Sequence, residues 1–157
     1  MATASTVGTF LDALRTVLVA RDGLSGVNVF TGSVDHLSVG EEAIVFAVEA
    51  QEADYDLPTM TQVETFEEYT VEGRTWVVKP GAGETVIKAA RDRAFALLEE
   101  VHDYVASLNS TAAFVAALTV DKVAVTGWRM EQLPGDGYRD CRLYFNLYVR
   151  AHFTPAA

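Results

Sequence analysis

The sequence predicts an α+β fold in which a mostly antiparallel β-sheet carries two main α-helices on one of its faces. Three features support this prediction. Two segments repeat apolar residues at helical spacing, several segments alternate apolar and polar residues, and hairpin-type turns join the strand-like segments. The order helix, strands, helix, strands is typical of helices packed against an antiparallel sheet.

Length and composition indicate one acidic domain spanning residues 1–157. Half of the residues are hydrophobic, which excludes a disordered chain. The net charge of −10 disfavours binding to nucleic-acid phosphates and to anionic membrane surfaces. No apolar run reaches the roughly 20 residues that a membrane span needs. The single cysteine, Cys141, cannot form an internal disulfide, which is typical of proteins made in the cytoplasm.

The first half of the chain predicts one helix followed by strands. Apolar residues recur at helical spacing over residues 6–21, and "VNVFTG" (27–32) reads as a short strand. The segment "EAIVFAVEA" (42–50) predicts a clearer strand with alternating apolar residues. Residues 51–62 show no such pattern and contain a proline, so we expect a long loop there.

A hairpin and a long helix are expected next. The segments "TFEEYTV" and "RTWVV" predict two strands joined by a turn at Glu72-Gly73, and Pro80-Gly81 ends the second strand. An apolar stripe then predicts a helix over residues 84–108. Residues 109–120 fit either a short helix or a loop.

The polar face of the long helix carries its charges in an unusual order. Lys88 and Arg91 lie in the first half, whereas Glu99 and Asp103 lie in the second half. The helix macrodipole favours the reverse order, although mainly in the terminal turns. Two interpretations remain open: a solvated face without further meaning, or a surface that the charges of a neighbouring subunit complement.

The chain closes with two strands joined by a tight turn. The segment "DKVAVTGWRMEQL" leads into "PGDG" (134–137), a strong hairpin signal. Residues 139–153 then alternate apolar and polar side chains, which predicts a half-buried antiparallel strand. Tyr144 and Tyr148 lie on its polar face, where they fit either ordinary sheet composition or a subunit contact.

The glycine-rich turn "KPGAGETVIK" suggests nucleotide binding at first, because a strand, a glycine turn and a helix follow each other as they do in phosphate-binding loops. A P-loop requires lysine after its last glycine, but Gly83 is followed by Glu84. A carboxylate at the helix start would occupy the place of a phosphate. We therefore expect a sharp turn and no nucleotide cofactor.

The sequence also predicts no metal site and no catalytic site. His36, His102 and His152 are far apart in the chain, and none has a second His or Cys at metal-binding spacing. Cys141 falls on the apolar face of a predicted strand, where cysteines are usually inert. No serine stands in a G-x-S-x-G pattern. We therefore expect that the chain is not an enzyme and that it needs no cofactor.

Most of the chain resembles a known family of phage proteins. The features that carry the resemblance are Arg91-Asp92-Arg93-Ala94 and Leu97-Leu98 on the long helix, Gly127-Trp128, and the aromatic and arginine-rich strand Arg142 to Arg150. The region from about Glu64 to Phe153 resembles the tail terminator (tail completion) proteins of long-tailed bacteriophages, most of all those of actinobacteriophages.

The resemblance implies a structural virion protein at the head-proximal end of the tail. It implies a homo-oligomeric ring, usually a hexamer, that ends polymerisation of the tail tube and joins the tail to the head. Its partners would be itself, the tail tube protein and the head–tail connector or neck protein. Double-stranded DNA would pass through the lumen without specific binding, and an acidic lumen would keep it from sticking.

Within this interpretation, the candidate subunit-interface residues are Lys88, Arg91, Glu99, Asp103, Tyr144 and Tyr148. The long loop, in particular Asp54, Tyr55, Asp56 and Leu57, either reaches a partner or is simply flexible. Two alternative functions remain open: another connector or neck protein of the same phage, or a small-ligand-binding α+β domain.

Overall fold

A computed structural model describes residues 5–34, 40–46, 53–56, 65–108 and 120–153 of the chain. In chain order its elements are α1 (Val7–Val19), a 3-10 turn (Asp22–Leu24), β1 (Asn28–Phe30), β2 (Glu42–Phe46), β3 (Ala53–Asp56), β4 (Thr65–Pro80), α2 (Glu84–Leu108), β5 (Val120–Pro134) and β6 (Tyr138–Phe153). The predicted α+β class is confirmed. The predicted helices at residues 6–21 and 84–108 are both present, and α2 begins and ends where the apolar stripe placed it.

The strands form one 6-stranded sheet in the order β1-β2-β4-β6-β5, and β3 pairs with β4 outside this path. The β1–β2 pair is parallel, and the other pairs are antiparallel. Strand β4 is central, because β2 and β3 pair with it on one side and β6 pairs with it along its whole length on the other. The long strand β5 lies at one edge of the path.

Both helices pack on the same face of the sheet, as predicted. The apolar sides of α1 and α2 join the inward residues of β2, β4 and β6 in one buried cluster, to which Phe10, Leu97 and Phe145 belong. The hydroxyl of Thr75 on β4 donates to the carbonyl oxygen of Ala94 on α2 at 3.1 Å. This buried bond fixes the position of α2 along the central strand.

A buried carboxylate fixes the start of α1. Glu67 of β4 is fully buried and accepts hydrogen bonds of 2.6 Å from the Ser5 hydroxyl, from the Thr6 backbone N–H and from the Thr6 hydroxyl. A negative charge is favourable at a helix N-terminus, where backbone N–H groups lack helical partners. The sequence analysis did not identify this interaction, because 61 positions separate Thr6 from Glu67.

The predicted hairpin turn at Glu72-Gly73 is wrong. Both residues lie inside the 16-residue strand β4, and Gly73 pairs with Phe46 on one side and with Phe145 on the other. A Cβ atom on Gly73 would come within 2.3 Å of the Phe145 ring. The glycine is therefore explained by the close approach of a buried ring to the backbone, which is one established role of glycine inside strands.

The prediction of a loop over residues 51–62 is also wrong in part. Asp54, Tyr55 and Asp56 belong to β3, which pairs with residues 66–69 of β4. The ladder ends at Asp56, before the proline at position 58, so the proline does not interrupt it. Leu57 lies outside the described residues, as do His36 and residues 109–119.

The glycine turn before α2 has the conformation that the sequence predicted. Gly81 and Gly83 have positive φ angles of 107° and 92°, which residues other than glycine rarely adopt. The Gly81 N–H donates to the carbonyl oxygen of Gly137 at 2.8 Å, so this turn is tied to the β5–β6 turn. The predicted alternation of β6 is confirmed as well, since the apolar side chains at every second position from Cys141 to Ala151 are buried.

Candidate interaction surface on the open face of the sheet

The sheet face opposite the two helices carries a row of arginines and aromatic rings, next to a small buried cluster of Ala43, Val45 and Trp76 against which Phe30, Val34 and Val78 pack. The strand register produces this row. Arg74 and Trp76 of β4 lie opposite Tyr144 and Arg142 of β6, and Arg129 of β5 lies on the other side of Tyr144. We call these five residues the arginine–aromatic ladder.

Cations and rings alternate along the ladder. The Arg142 guanidinium lies 4.2 Å from the centre of the Trp76 ring system. Arg74 lies between two rings, 5.2 Å from Trp76 and 4.8 Å from Tyr144. Arg129 lies 4.3 Å from the Tyr144 ring. Guanidinium groups at such distances are attracted to aromatic faces, so the ladder holds its arginine side chains in defined positions.

Carboxylates of the same chain anchor part of the ladder. Arg142 forms an ion pair with the buried Asp140 at 2.7 Å. Burial alone would lower the pKa of Arg142, but the hydrogen bonds and the charge of Asp140 raise it above its usual value. The Tyr144 hydroxyl donates to Glu131 at 3.0 Å. Arg142 and Tyr144 are therefore held by neighbours within the protomer.

Arg74 and Arg129 differ from Arg142, because neither forms an ion pair with any residue in the described part of the chain. Arg74 is half-buried, and its Nε atom has no hydrogen-bond partner among the described residues. Arg129 is exposed on the edge strand. Each guanidinium carries five N–H donors in a planar fork. These two side chains therefore present donors and positive charge that the described residues leave unmatched.

The other end of the open face is paired internally. Arg150 contacts Glu68 at 2.8 Å and Asp121 at 3.4 Å. Lys122 lies 5.9 Å from the Tyr148 ring. Burial, followed by the nearby carboxylate of Glu68, raises the pKa of Tyr148. The two predicted tyrosines thus lie in different surroundings, with unpaired arginines beside Tyr144 and with matched charges beside Tyr148.

On the helix side of the molecule, the charges of α2 fall into two groups. Arg93 and Glu100 are used inside the protomer, since they pair with Glu42 and Arg21 at 2.9 and 2.8 Å. Lys88 is paired with Asp92, one turn away on α2.

The remaining predicted interface residues of α2 are less constrained. Arg91 lies 3.4 Å from Asp92. Glu99 and Asp103 are exposed and form no ion pair with the described residues. The second half of α2 therefore presents two unpaired carboxylates one turn apart.

The structure does not bring all predicted interface residues together. Tyr144 and Tyr148 lie on the open sheet face, whereas Lys88, Arg91, Glu99 and Asp103 lie on α2, in the other layer. Arg74, Trp76 and Arg129 were not predicted to lie on the open face. Arg74 is half-buried between the buried residues Gly73 and Thr75, whereas Trp76 is itself 3% exposed and gives no alternation of burial.

The edge strand β5 adds exposed apolar side chains beside α2. Trp128 is 57% exposed and Met130 is 39% exposed. The Trp128 ring meets Phe95 of α2 edge to face at 5.0 Å. An exposed tryptophan held by a packed neighbour on an edge strand is typical of a contact residue.

The described residues line a cavity on the helix side of the sheet. An apolar cavity of about 170 Å³ lies between α2 and the end of the β5–β6 hairpin, lined by Ile87, Leu133 and Cys141 among others. Burial, with a smaller effect of Asp140, raises the pKa of the Cys141 thiol to about 11, so the thiol is protonated at neutral pH. Across the described ranges, no group of three His, Cys, Asp or Glu side chains is placed to hold a metal ion. No helix in those ranges is long and apolar enough to cross a membrane.

Comparison with known proteins gives one kind of similarity. The sequence matches no family model and no curated protein. The structure is similar to a chain in a solved structure of the virion of a native gene transfer agent particle, with a TM-score of 0.55. The two chains are 14% identical, and the match covers 94% of this chain and 99% of the other. The similarity shows that the chain shares its fold, over nearly its whole length, with a chain of a virion.

Proposed function

We propose that the chain is a structural virion protein of a long-tailed phage or phage-like particle. In this proposal it is a tail terminator, which forms a hexameric ring at the head-proximal end of the tail tube. The ring ends polymerisation of the tube and offers a surface for head–tail joining. One observation carries the proposal: the fold match to a virion chain covers 94% of this chain and 99% of the other. The sequence resemblance to tail terminators, over about Glu64 to Phe153, supports the finer assignment.

The distribution of candidate contact residues supports self-assembly. They lie in two layers of the molecule, with the arginine–aromatic ladder on the sheet and the unpaired carboxylates on α2. A contact between two different patches is heterologous, and heterologous contacts form rings when the rotation between copies closes. The layered arrangement therefore suits a ring better than a two-fold dimer, in which the same patch meets itself.

The chemistry of the described residues supports a role without catalysis. The glycine turn leads into Glu84 rather than a phosphate-binding lysine, and Cys141 is buried with a raised thiol pKa. In the proposed function the chain acts through shape and contacts between proteins, and it needs no cofactor.

The proposed partners are further copies of the chain, the tail tube protein and the head–tail connector or neck protein. Strand β3, with Asp54, Tyr55 and Asp56, and the adjacent Leu57 form the proposed contact with a neighbouring copy or with the tube. The net charge of −10 supports a lumen through which DNA passes without specific binding.

Assembly of the purified chain tests the proposal most directly. We expect size-exclusion chromatography with light scattering to show an oligomer, and negative-stain electron microscopy to show rings. Added to polymerising tail tube protein, the chain should shorten the tubes and label one of their ends. A chain that binds the connector but leaves tube length unchanged would instead be a neck protein. A persistent monomer that binds a small ligand tightly would contradict a structural role.

Two substitutions on α2 test whether its charges contribute to assembly. We expect Arg91→Glu and Glu99→Lys to weaken the oligomer, because each reverses an exposed charge on the proposed contact. Circular dichroism should show that both variants remain folded. Assembly equal to that of the wild type in both variants would exclude α2 from the contact.

A further inference from the structure

The unmatched arginines of the ladder are unusual in so acidic a chain. The net charge is −10, yet Arg74 and Arg129 flank the same tyrosine without a carboxylate partner among the described residues. Arg74 also keeps a buried Nε donor without a partner there. The Arg74 side chain is only half-buried, so part of it stays accessible to a partner that supplies an acceptor.

The ladder fixes the spacing of these two positive groups. Neither guanidinium lies more than 4.8 Å from the centre of the Tyr144 ring, so the two groups are within about 10 Å of each other. The Tyr144 hydroxyl is held by Glu131, which fixes the ring between them. The ladder therefore presents two planar guanidinium groups on either side of one ring, each able to bind a carboxylate in bidentate fashion.

The second half of α2 presents the complementary pattern. Glu99 and Asp103 are exposed and without ion pairs in the described structure, and they stand four positions apart. Residues at this spacing have Cβ atoms roughly 5–6 Å apart on one helix face. Carboxylates are the groups that arginine forks bind in bidentate fashion, with bonds stronger than those between neutral groups.

We propose that the ladder arginines Arg74 and Arg129 of one copy bind the carboxylates Glu99 and Asp103 on α2 of the next copy. The proposal rests on the proposed ring and names the contact that closes it. The two patches lie in different layers of the molecule, the open sheet face and α2, so each copy uses one patch toward each neighbour. Such an arrangement is heterologous and repeats around a ring.

The chemistry of the chain favours a protein partner over DNA. The repulsion between phosphates and a chain of net charge −10 opposes binding to nucleic acid. Tryptophan, tyrosine and arginine together are typical of the central residues of protein interfaces. Of the ladder, Arg74, Arg129 and Tyr144 are accessible to a partner, whereas Trp76 is 3% exposed and supports them from below.

A charge-exchange experiment tests the contact. One variant carries Arg129→Glu with Arg74→Gln, and the other carries Glu99→Lys with Asp103→Lys. Each variant alone should self-associate at least about tenfold more weakly than the wild type in sedimentation equilibrium, because like charges then meet at every contact. An equal mixture of the two should recover oligomers, since every contact between unlike copies joins opposite charges. Asp12→Lys, an exposed reversal on α1, is the matched control and should assemble as the wild type does.

Each remaining outcome overturns the proposed contact. Unchanged assembly of both variants, or no recovery on mixing, would show that other residues join the copies and would leave the ring itself intact. Wild-type chain that does not self-associate at any concentration, alone or on tail tubes, would overturn both the contact and the ring. Binding of wild type to a 30-base-pair DNA duplex that Arg129→Glu abolishes, with assembly unaffected, would assign the ladder to DNA. Circular dichroism and melting temperatures establish that each variant is folded.

Discussion

Replacing Gly73 by alanine tests the packing of the central strand most sharply. A Cβ atom at this position would stand 2.3 Å from the Phe145 ring, whereas ordinary contacts begin near 3.4 Å. The ring cannot easily withdraw, because Phe145 is almost fully buried and meets Phe46 edge to face at 5.9 Å. The ring or the strand therefore has to move by about 1 Å in a close-packed core.

The expected loss of stability follows from two opposing effects. Overpacking of a core costs about 1–3 kcal/mol. Alanine recovers about 0.5–1 kcal/mol relative to glycine inside a strand, because it restricts the unfolded chain more. We therefore expect Gly73→Ala to lower the free energy of unfolding by about 1–2 kcal/mol. For a chain of this length, that loss corresponds to a melting temperature lower by roughly 2–8 °C.

Urea and thermal unfolding followed by circular dichroism provide the measurement, with Gly127→Ala as the matched control. Gly127 also lies in a strand, but a Cβ atom there would meet nothing within 4 Å, so its substitution should be neutral or slightly stabilising. Phe145→Leu removes part of the obstructing ring. The double variant should therefore be more stable than the sum of the two single effects predicts, by at least about 1 kcal/mol.

The double variant also separates two explanations of the glycine. A turn at Glu72-Gly73 would also be harmed by alanine, but shortening Phe145 would not relieve it. Additive effects of Gly73→Ala and Phe145→Leu, or an unchanged melting temperature of Gly73→Ala, would refute the close approach of the ring to the strand.

Three further predictions concern charge, reactivity and assembly. Burial raises the pKa of Glu42, but hydrogen bonds from Arg93 and Lys79 lower it more, to below 4.5. The Glu42→Gln variant should therefore lose its full amount of stability above about pH 4.5, and the loss should shrink as the pH falls through the lower pKa of the folded state. A difference in urea midpoints between wild type and variant that does not change with pH would contradict this. The Cys141 thiol, with a pKa of about 11, should react with a thiol reagent at pH 8 at least about a hundredfold more slowly in the folded chain than in urea, and equal rates would show that the thiol is accessible. Trp128→Ala should weaken the oligomer in light scattering. Because the Trp128 side chain is 57% exposed, the substitution should lower the melting temperature by less than about 4 °C. A large loss of stability would instead show that Trp128 acts mainly through packing in the core.

The long elements could be predicted from the sequence because their apolar patterns are long. Helix α2 repeats its stripe over 25 residues, and β6 alternates over 16 residues, so a single misleading residue does not change either assignment. Strand β3 could not be predicted, because it has only four residues, Ala53–Asp56, and two of them are aspartates, which are depleted in strands. It forms where the first half of β4 offers an edge, and that edge is created by the fold rather than by the local sequence.

One of the five ladder residues, Tyr144, could be predicted as a contact residue, because strand alternation alone places it on the polar face of β6. Arg74 and Trp76 share one face of the predicted strand "RTWVV", but their place beside Tyr144 and Arg142 depends on the β4–β6 register, which the sequence does not show. Arg129 was hidden for a different reason. The register of β5 shifts between Val125 and Gly127, so the face of every later residue depends on an irregularity that the sequence does not mark.

The proposed contact also has to act against the charge of the whole chain. Copies that each carry a net charge of −10 repel one another at long range, so general attraction cannot bring them into a ring. At physiological salt the Debye length is about 8 Å, which weakens repulsion between distant charges but leaves contacts of about 3 Å between an arginine fork and a carboxylate largely unscreened. In the proposed contact the Tyr144 ring, which lies 4.8 Å from the Arg74 guanidinium and 4.3 Å from the Arg129 guanidinium, would help to exclude water once the two copies meet. The repulsion between copies is diffuse, whereas the proposed attraction is confined to one matched pair of patches. The net charge therefore disfavours other orientations of two copies, and the orientation in which the ladder meets α2 is favoured over them.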